Sequence, residues 1–290
     1  MQRIFVIGCP RSGTTLVQAL LARHPDVFSL QETYFFEALL GDALVRWADR
    51  EARPTRKWYH RAGLAQSWGR HRLRELEDAH LASRAQRTVP RRWRACIRRY
   101  VAMLDEAAGS KGRSHWVEKT PNHLLFIDEI AACVPDARFV HVLRNGIDVV
   151  ASVLDEDMRQ STAAFRGGIA QWTWRWNHAM ELHMARLGEP RHHLLCLEDL
   201  VADQSGEWER LRDFSRLDPG KSLLPRPGCL VADAELEPWK REAMTGVVKP
   251  ANSKVQAMLG PQSLTWLQQH LVDYRAIRDA VHKQSRAVVD

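Results

Sequence analysis

Residues 3–15 read RIFVIGCPRSGTT. A β-branched and aromatic run, Arg3 to Ile7, meets two glycines with four residues between them, Gly8 and Gly13, and the helical pattern LVQALLARHP follows from Leu16. Strand, glycine loop and helix in that order aim backbone N–H groups and a helix N-terminus at one point. Such a point suits an anion.

Two further segments repeat the alternation. Ala137 to Leu143, ARFVHVL, is a buried-strand candidate, and RNGIDVVASVL from Arg144 starts a helix with Asp148 in its first turn, where a carboxylate meets the positive end of the helix dipole. His192 to Leu197, HHLLCL, is a third candidate strand, followed by the acidic turn EDLVADQSGE and the helical pattern WERLRDFSRL. Strands alternating with helices predict an α/β fold, a P-loop-like parallel sheet flanked by helices.

From about residue 38 to 114 the chain is rich in Arg, Ala, Leu and Trp and poor in strand signals, which predicts a helical insertion. The 290 residues are read as a single domain, 1–290, built around it. Phe165 to Leu187 also reads helical, with Trp172 and Trp176 one turn apart and Trp174 facing elsewhere. Pro225 to Ser253 reads as a long irregular segment, and loops of that length in compact domains tend to be functional or disordered.

A composition of 45% hydrophobic and 27% charged residues rules out a disordered, collagenous or disulfide-stapled chain. The five cysteines (Cys9, Cys96, Cys133, Cys196, Cys229) are far apart and lack CxxC spacing, so neither a disulfide framework nor a zinc site is expected, and the cytoplasm is the expected location. No stretch approaches the ~18 apolar residues of a spanning helix, so no membrane anchor is expected. Net charge is +7, carried by 34 Arg against 8 Lys, which favours an anionic ligand. The densest run, Arg84 to Arg99, spaces Trp93, Cys96, Ile97 and Tyr100 along one face, so its arginines read as the solvated side of an amphipathic helix. Signatures of nucleic-acid-binding folds are absent, and no nucleic-acid partner is expected.

A nucleoside-triphosphatase loop would follow the second glycine with Lys and then Ser or Thr, for the β/γ-phosphates and Mg²⁺. Thr14 and Thr15 stand there instead, and the cation is Arg11, whose planar fork suits a phosphate or sulfate oxyanion. Pro10-Arg11-Ser12-Gly13-Thr14-Thr15 resembles the 5′-phosphosulfate loop of the sulfotransferase superfamily, whose members use 3′-phosphoadenosine 5′-phosphosulfate (PAPS). Arg144 to Ser152, an Arg with a Ser eight residues on, is similar to its 3′-phosphate motif, with Gly146 where the family usually has Pro.

Arg11 in the loop, His24-Pro25-Asp26 after the first helix and Glu32-Thr33 beyond it resemble the branch that includes tyrosylprotein sulfotransferases and bacterial relatives. The cytosolic branch has a loop lysine and a histidine base instead. Glu118-Lys119-Thr120-Pro121, Glu198-Asp199-Leu200 and Lys249-Pro250-Ala251-Asn252 are similar to that branch as well. It also places a serine upstream of the Lys-Pro pair. Thr245 is near that place without matching it.

The resemblance implies a sulfotransferase that moves a sulfuryl group from PAPS, as co-substrate and without a metal, to a hydroxyl-bearing small-molecule, glycan or peptide acceptor. It implies Glu32 as the base, with Arg11 and Lys119 neutralising charge on the leaving oxygen. It implies cofactor binding by Pro10, Arg11, Ser12, Gly13, Thr14, Thr15, Arg144, Ser152 and Lys249. A carboxylate normally titrates near about pH 4, so burial beside the acceptor is expected to raise Glu32. His24, His115, His123 and His141 are rival bases. The insertion and the Trp172 to Trp176 region are expected to shape the acceptor pocket, and Glu118 to pair with Lys119 or an arginine. Two other classes stay open: a Mg-dependent nucleotide kinase or NTPase-like protein, and a non-catalytic polyanion or nucleic-acid binder using Arg84 to Arg99.

Overall fold

The computed structural model describes every residue except 50, 82–87, 161–164, 230, 234, 236, 238–239, 250–252 and 288–290. Five strands, β1 Gln2–Gly8, β2 Val27–Ser29, β3 His115–Lys119, β4 Arg138–Leu143 and β5 His192–Cys196, form one sheet in the order β2-β3-β1-β4-β5. All pairings are parallel. The run from Arg3 to Ile7 alternates between two buried faces. Phe5 and Ile7 join Phe28, Trp116 and Phe139 on one side, and Ile4 and Val6 join Val27, Val117 and Val140 on the other. Burial on both faces is why the strand has no polar alternation. Phe5 stacks on Phe139 at 5.7 Å between ring centroids and meets Trp116 edge-on at 5.2 Å. Each ring of this kind contributes about 1.5–3 kcal/mol by leaving water.

The helices are α1 Thr14–Ala22, α2 Phe35–Leu40, α3 Ala43–Arg46, α4 Trp58–Arg61, α5 Ser67–His80, α6 Trp93–Gly109, α7 Ile127–Cys133, α8 Gly146–Gln160, α9 Gly168–Met184, α10 Leu197–Ala202, α11 Gln204–Ser215, α12 Val255–Met258, α13 Pro261–His270 and α14 Tyr274–Ala287. Residues 38–114 carry α3 to α6, and a single bridge, Leu64 with Arg92, is their only β pairing among the described residues. In α6 the apolar spacing buries Cys96, Ile97 and Tyr100 while Arg94 and Arg98 face solvent. Arg99 pairs with Glu77 of α5. Residues 84–87 of that basic run lie outside the described residues.

Three strands lie where the alternation predicts them, and β2 and β3 are additions. The predicted acidic turn after β5 is instead helix α10, because Leu197 and Leu200 fall three apart and both are buried. The topology decides where a ligand fits. From central β1 the chain runs out to β2, returns to β3, then crosses to β4 and β5 on the other side. The carboxyl end of β1, between β3 and β4, is therefore the crevice at which the winding reverses, where open α/β sheets bind ligands.

Candidate active site

A cavity of about 370 Å³ opens at that crevice. Its floor is the loop after β1. The Ser12 N–H donates to the Cys9 carbonyl at 3.1 Å, and the Gly13 carbonyl accepts from Leu16 and Val17 to start α1. Gly13 holds φ 96, a left-handed value that glycine adopts freely, while Arg11 holds φ 72 with a side chain. A non-glycine residue kept there costs about 1–3 kcal/mol, and such strain gathers at ligand sites. The Ser12 hydroxyl is buried and has no partner among the described residues. Ser12 is not among the residues that line the cavity, so of the predicted loop residues it is the one the structure keeps out of the wall, and the first N–H groups of α1 are what the loop offers an oxyanion.

One cluster of charged groups lies over α8. The Arg11 Nε donates to Ser152 Oγ at 3.1 Å, and its guanidinium is 3.6 Å from the buried Glu156 carboxylate. Arg144, which leaves the end of β4, donates to the Arg11 carbonyl at 3.1 Å. The Trp176 indole N–H in turn donates to the Arg144 carbonyl at 3.0 Å. A Cβ on residue 146 would come within 2.9 Å of the Trp176 ring and of Leu271, so this chain has glycine where the family usually has proline. Burial lowers the Arg11 pKa, with Glu156 opposing and Arg144 adding to the shift. Arg11, Arg144 and Ser152 thus share one corner of the cavity.

The second cluster surrounds Glu32, which follows β2. Lys119, the last residue of β3, is fully buried and bonds both Thr15 Oγ1, at 3.1 Å, and the Glu32 carboxylate. Lys240 reaches the same carboxylate oxygen from the late segment, at 2.5 Å, and is itself paired with Glu237. The sequence predicts a Glu32 raised by burial, and the structure reverses this: burial alone would raise the pKa, but it does not act alone. The charges and hydrogen bonds of the two lysines outweigh it and hold the carboxyl at about 2. The Lys119 ammonium is lowered by burial and by Lys240, against the pull of Glu32. Tyr34, at φ 51, lines the cavity beside them, its phenol pKa raised by burial and by the Glu32 charge.

Behind this cluster lies Glu118, fully buried. It takes none of the pairings expected of it. Its Oε1 accepts from the hydroxyls of Thr33 at 2.9 Å and Thr120 at 2.8 Å, and its Oε2 meets the His123 ring at 2.8 Å. The Tyr100 hydroxyl donates to Thr33 at 3.0 Å, and Arg72 donates to the Thr33 carbonyl at 2.8 Å. The loop that carries Glu32 is thereby bolted to β3 on one side and to α5 and α6 on the other.

The cavity wall contains Pro10, Arg11, Gly13, Thr14, Thr15, Glu32, Arg144 and Ser152. Lys119 reaches it from behind through Glu32 and Thr15. Lys249 does not reach it. That side chain is 62% exposed and lies 3.9 Å from Glu242, and residues 250–252 of its motif are outside the described residues. Lys240, nine residues earlier and unmarked by any motif, reaches the cavity in its place. None of the rival histidines lines the cavity. His24 is held by the Asp218 carbonyl, His115 by the Arg216 carbonyl, His123 by Glu118, and His141 by His183 and His192. Trp172 and Trp176 are core residues rather than pocket walls. The wall is supplied by Phe165, whose carbonyl accepts from Trp172, and by Pro121 and Asn122. Among the described residues, no helix is long and apolar enough to cross a membrane, and no three His, Cys, Asp or Glu side chains are grouped to hold a metal ion.

Comparison with known proteins gives the family and the fold. The model of the sulfotransferase family matches residues 3–219. A protein-tyrosine sulfotransferase of Drosophila melanogaster is 27% identical over 213 residues, 72% of this chain and 37% of that protein. Nodulation protein NoeE of Sinorhizobium fredii is 28% identical over 149 residues, 51% of this chain and 30% of that protein. The chain therefore spans about a third of the length of these relatives. The sulfotransferase domain of the Synechococcus PCC 7002 olefin synthase superposes with a TM-score of 0.50 at 17% identity, covering 100% of this chain and 95% of that one, a likeness of fold.

Proposed function

The chain belongs to the sulfotransferase family, and from that premise we propose that it transfers a sulfuryl group from PAPS to a hydroxyl acceptor in the cavity at the end of β1. The observation that carries the proposal is Lys119. One buried ammonium joins Thr15 of the phosphate loop to the Glu32 carboxylate, so an anion-binding loop and a proton acceptor are held within the reach of a single side chain.

PAPS supplies a sulfuryl group on a phosphate oxygen: the acceptor oxygen bonds to sulfur as the sulfur–oxygen bond to phosphate breaks, and the electron pair stays on adenosine 3′,5′-bisphosphate. The protein's share of this is positioning and charge. The loop N–H groups and Arg11 face the donor's anionic groups, and Arg144 and Ser152 supply a guanidinium fork and a hydroxyl to its 3′-phosphate. Glu32 receives the acceptor's proton. At rest it is a weak base, because two ammonium groups share its charge. As Lys119 turns part of its charge to the donor oxygens, Glu32 loses part of that restraint and its basicity rises.

Calorimetry with adenosine 3′,5′-bisphosphate and with ATP, each with and without Mg²⁺, tests the reading. The bisphosphate is expected to bind equally well with or without the metal and more tightly than ATP. Mg²⁺-dependent preference for ATP would replace the reading with a nucleotide kinase or NTPase. A weak, steeply salt-dependent response to both would favour a general polyanion binder.

A further inference from the structure

Lys240 has no part in any motif of the sequence, yet its ammonium is one of two that contact the Glu32 carboxylate, across a separation of 208 residues. Resting on the proposed sulfuryl transfer, we propose that Lys240 is the counter-ion that sets the base strength of Glu32, a positioning residue delivered to the site by the segment after residue 230.

Three observations converge on it. The first is the local charge count. Lys119, Glu32, Lys240 and Glu237 form an unbroken chain of alternating sign, two positive and two negative, at the edge of the phosphate loop. A buried carboxylate needs a paired charge, and one lysine satisfies that need. A second becomes necessary when the first, Lys119, also serves the loop through Thr15. Without Lys240, each shift of Lys119 toward a bound anion would leave Glu32 buried and unpaired.

The second observation is anchorage. Lys240 is itself nearly buried, with a side chain 10% exposed, and two fixed points flank it. Val231 packs against Ala19 and Ala22 of α1, and the Gly246 carbonyl accepts from Arg23 at 3.1 Å. The first anchor lies on α1, the helix that begins at the loop after β1, and the second on Arg23, the residue that caps its C-terminus. The turn between them is closed by the Glu237 N–H on the Asp233 carbonyl at 2.7 Å and the Lys240 N–H on the Glu237 carbonyl at 2.9 Å.

The third observation is the contrast with Lys249, whose side chain is exposed and whose nearest carboxylate, Glu242, is exposed as well. Of these two lysines of the late segment, only Lys240 is held within the cavity.

The test reads Glu32 directly and needs no acceptor. Protein labelled with ¹³C at the glutamate carboxyls is titrated, and the Glu32 signal is identified by its loss in Glu32→Gln. In the wild-type protein this carboxyl is expected to stay ionised to the lowest pH at which the fold survives. In Lys240→Met it is expected to titrate about 1–3 units higher, the span for a carboxylate that loses one adjacent cation. Lys240→Arg is expected to restore the wild-type titration. An unshifted Glu32 in Lys240→Met would overturn the proposal, as would lost binding of adenosine 3′,5′-bisphosphate with Glu32 unmoved, which would make Lys240 a donor-binding group instead. Lys240→Gln stands in if the methionine variant does not fold. Failure of the wild-type protein to bind the bisphosphate would count against sulfuryl transfer itself, whatever the titration showed.

Discussion

The Thr33 hydroxyl donates to the buried Glu118 carboxylate at 2.9 Å, so one side chain of β3 holds the residue next to Glu32. The same carboxylate also serves Thr120 and His123. Glu118→Ala leaves three buried polar groups without an acceptor. The expected loss in urea denaturation is about 3–5 kcal/mol, the span for breaking a buried charged network on one side. Glu118→Gln keeps an acceptor oxygen for the two hydroxyls and is expected to lose less. Equal losses in the two variants would show that the threonines do not depend on it.

Replacing Glu32, the proposed proton acceptor, separates chemistry from binding. Glu32→Gln keeps size and hydrogen-bonding capacity, so adenosine 3′,5′-bisphosphate is expected to stabilise the variant as it does the wild type, by about 2.7 kcal/mol at a hundred times its dissociation constant. Turnover of a phenol or alcohol acceptor, found by screening with labelled PAPS, is expected to fall roughly 10²- to 10⁴-fold. Near wild-type turnover would move the base to another group.

Arg144 and Ser152 are expected to act on affinity. Truncating either to Ala removes a charge-assisted hydrogen bond worth about 1.5–3 kcal/mol, so the PAPS constant is expected to rise about 10- to 100-fold with a smaller change in kcat. Adenosine 5′-monophosphate, lacking the 3′-phosphate, is expected to bind both variants and the wild type alike. A kcat that falls while the PAPS constant holds would reverse the assignment.

Acid sensitivity follows from the buried imidazoles. Burial lowers the His183 pKa to about 3, and His141, which it contacts at 2.8 Å, is lowered in the same direction by burial and by its histidine neighbours. A histidine depressed in the folded state adds no penalty above its unfolded pKa, about 6.5. As the pH falls below that, the unfolded chain takes up the proton first, so stability declines from about pH 6.5 toward pH 3. At pH 5 His183 alone accounts for about 2 kcal/mol. Urea midpoints at pH 7 and pH 5 check this, and equal midpoints would contradict it.

How much of the molecule is legible in its sequence depends on what each residue has to satisfy. β1, β4 and β5 each carry a short buried run that is mostly apolar and therefore stand out. β3, HWVEK, is just as buried, but Glu118 and Lys119 are inside it for the sake of the site, and two charges erase the strand pattern. β2 is only three residues long, too short for any period to register. The phosphate loop and the Arg144 to Ser152 motif are legible because their spacing is local. Lys240 is not, because its importance lies wholly in a contact made across the fold. Lys249 shows the converse: a lysine in a matching motif is placed by backbone anchors that the motif does not contain.

The long spans between partners also bear on how the protein reaches its working form. Lys119 meets Thr15 across 104 residues, Arg11 meets Ser152 across 141, and Lys240 meets Glu32 across 208. Contacts of such high sequence separation form only after the loop-closure entropy of the intervening chain has been overcome, and parallel sheets already fold slowly for that reason. The cavity is therefore among the last features to be assembled. During refolding, recovery of bisphosphate binding should trail recovery of helical signal, because individual helices need few distant partners and the site needs all of its distant partners at once.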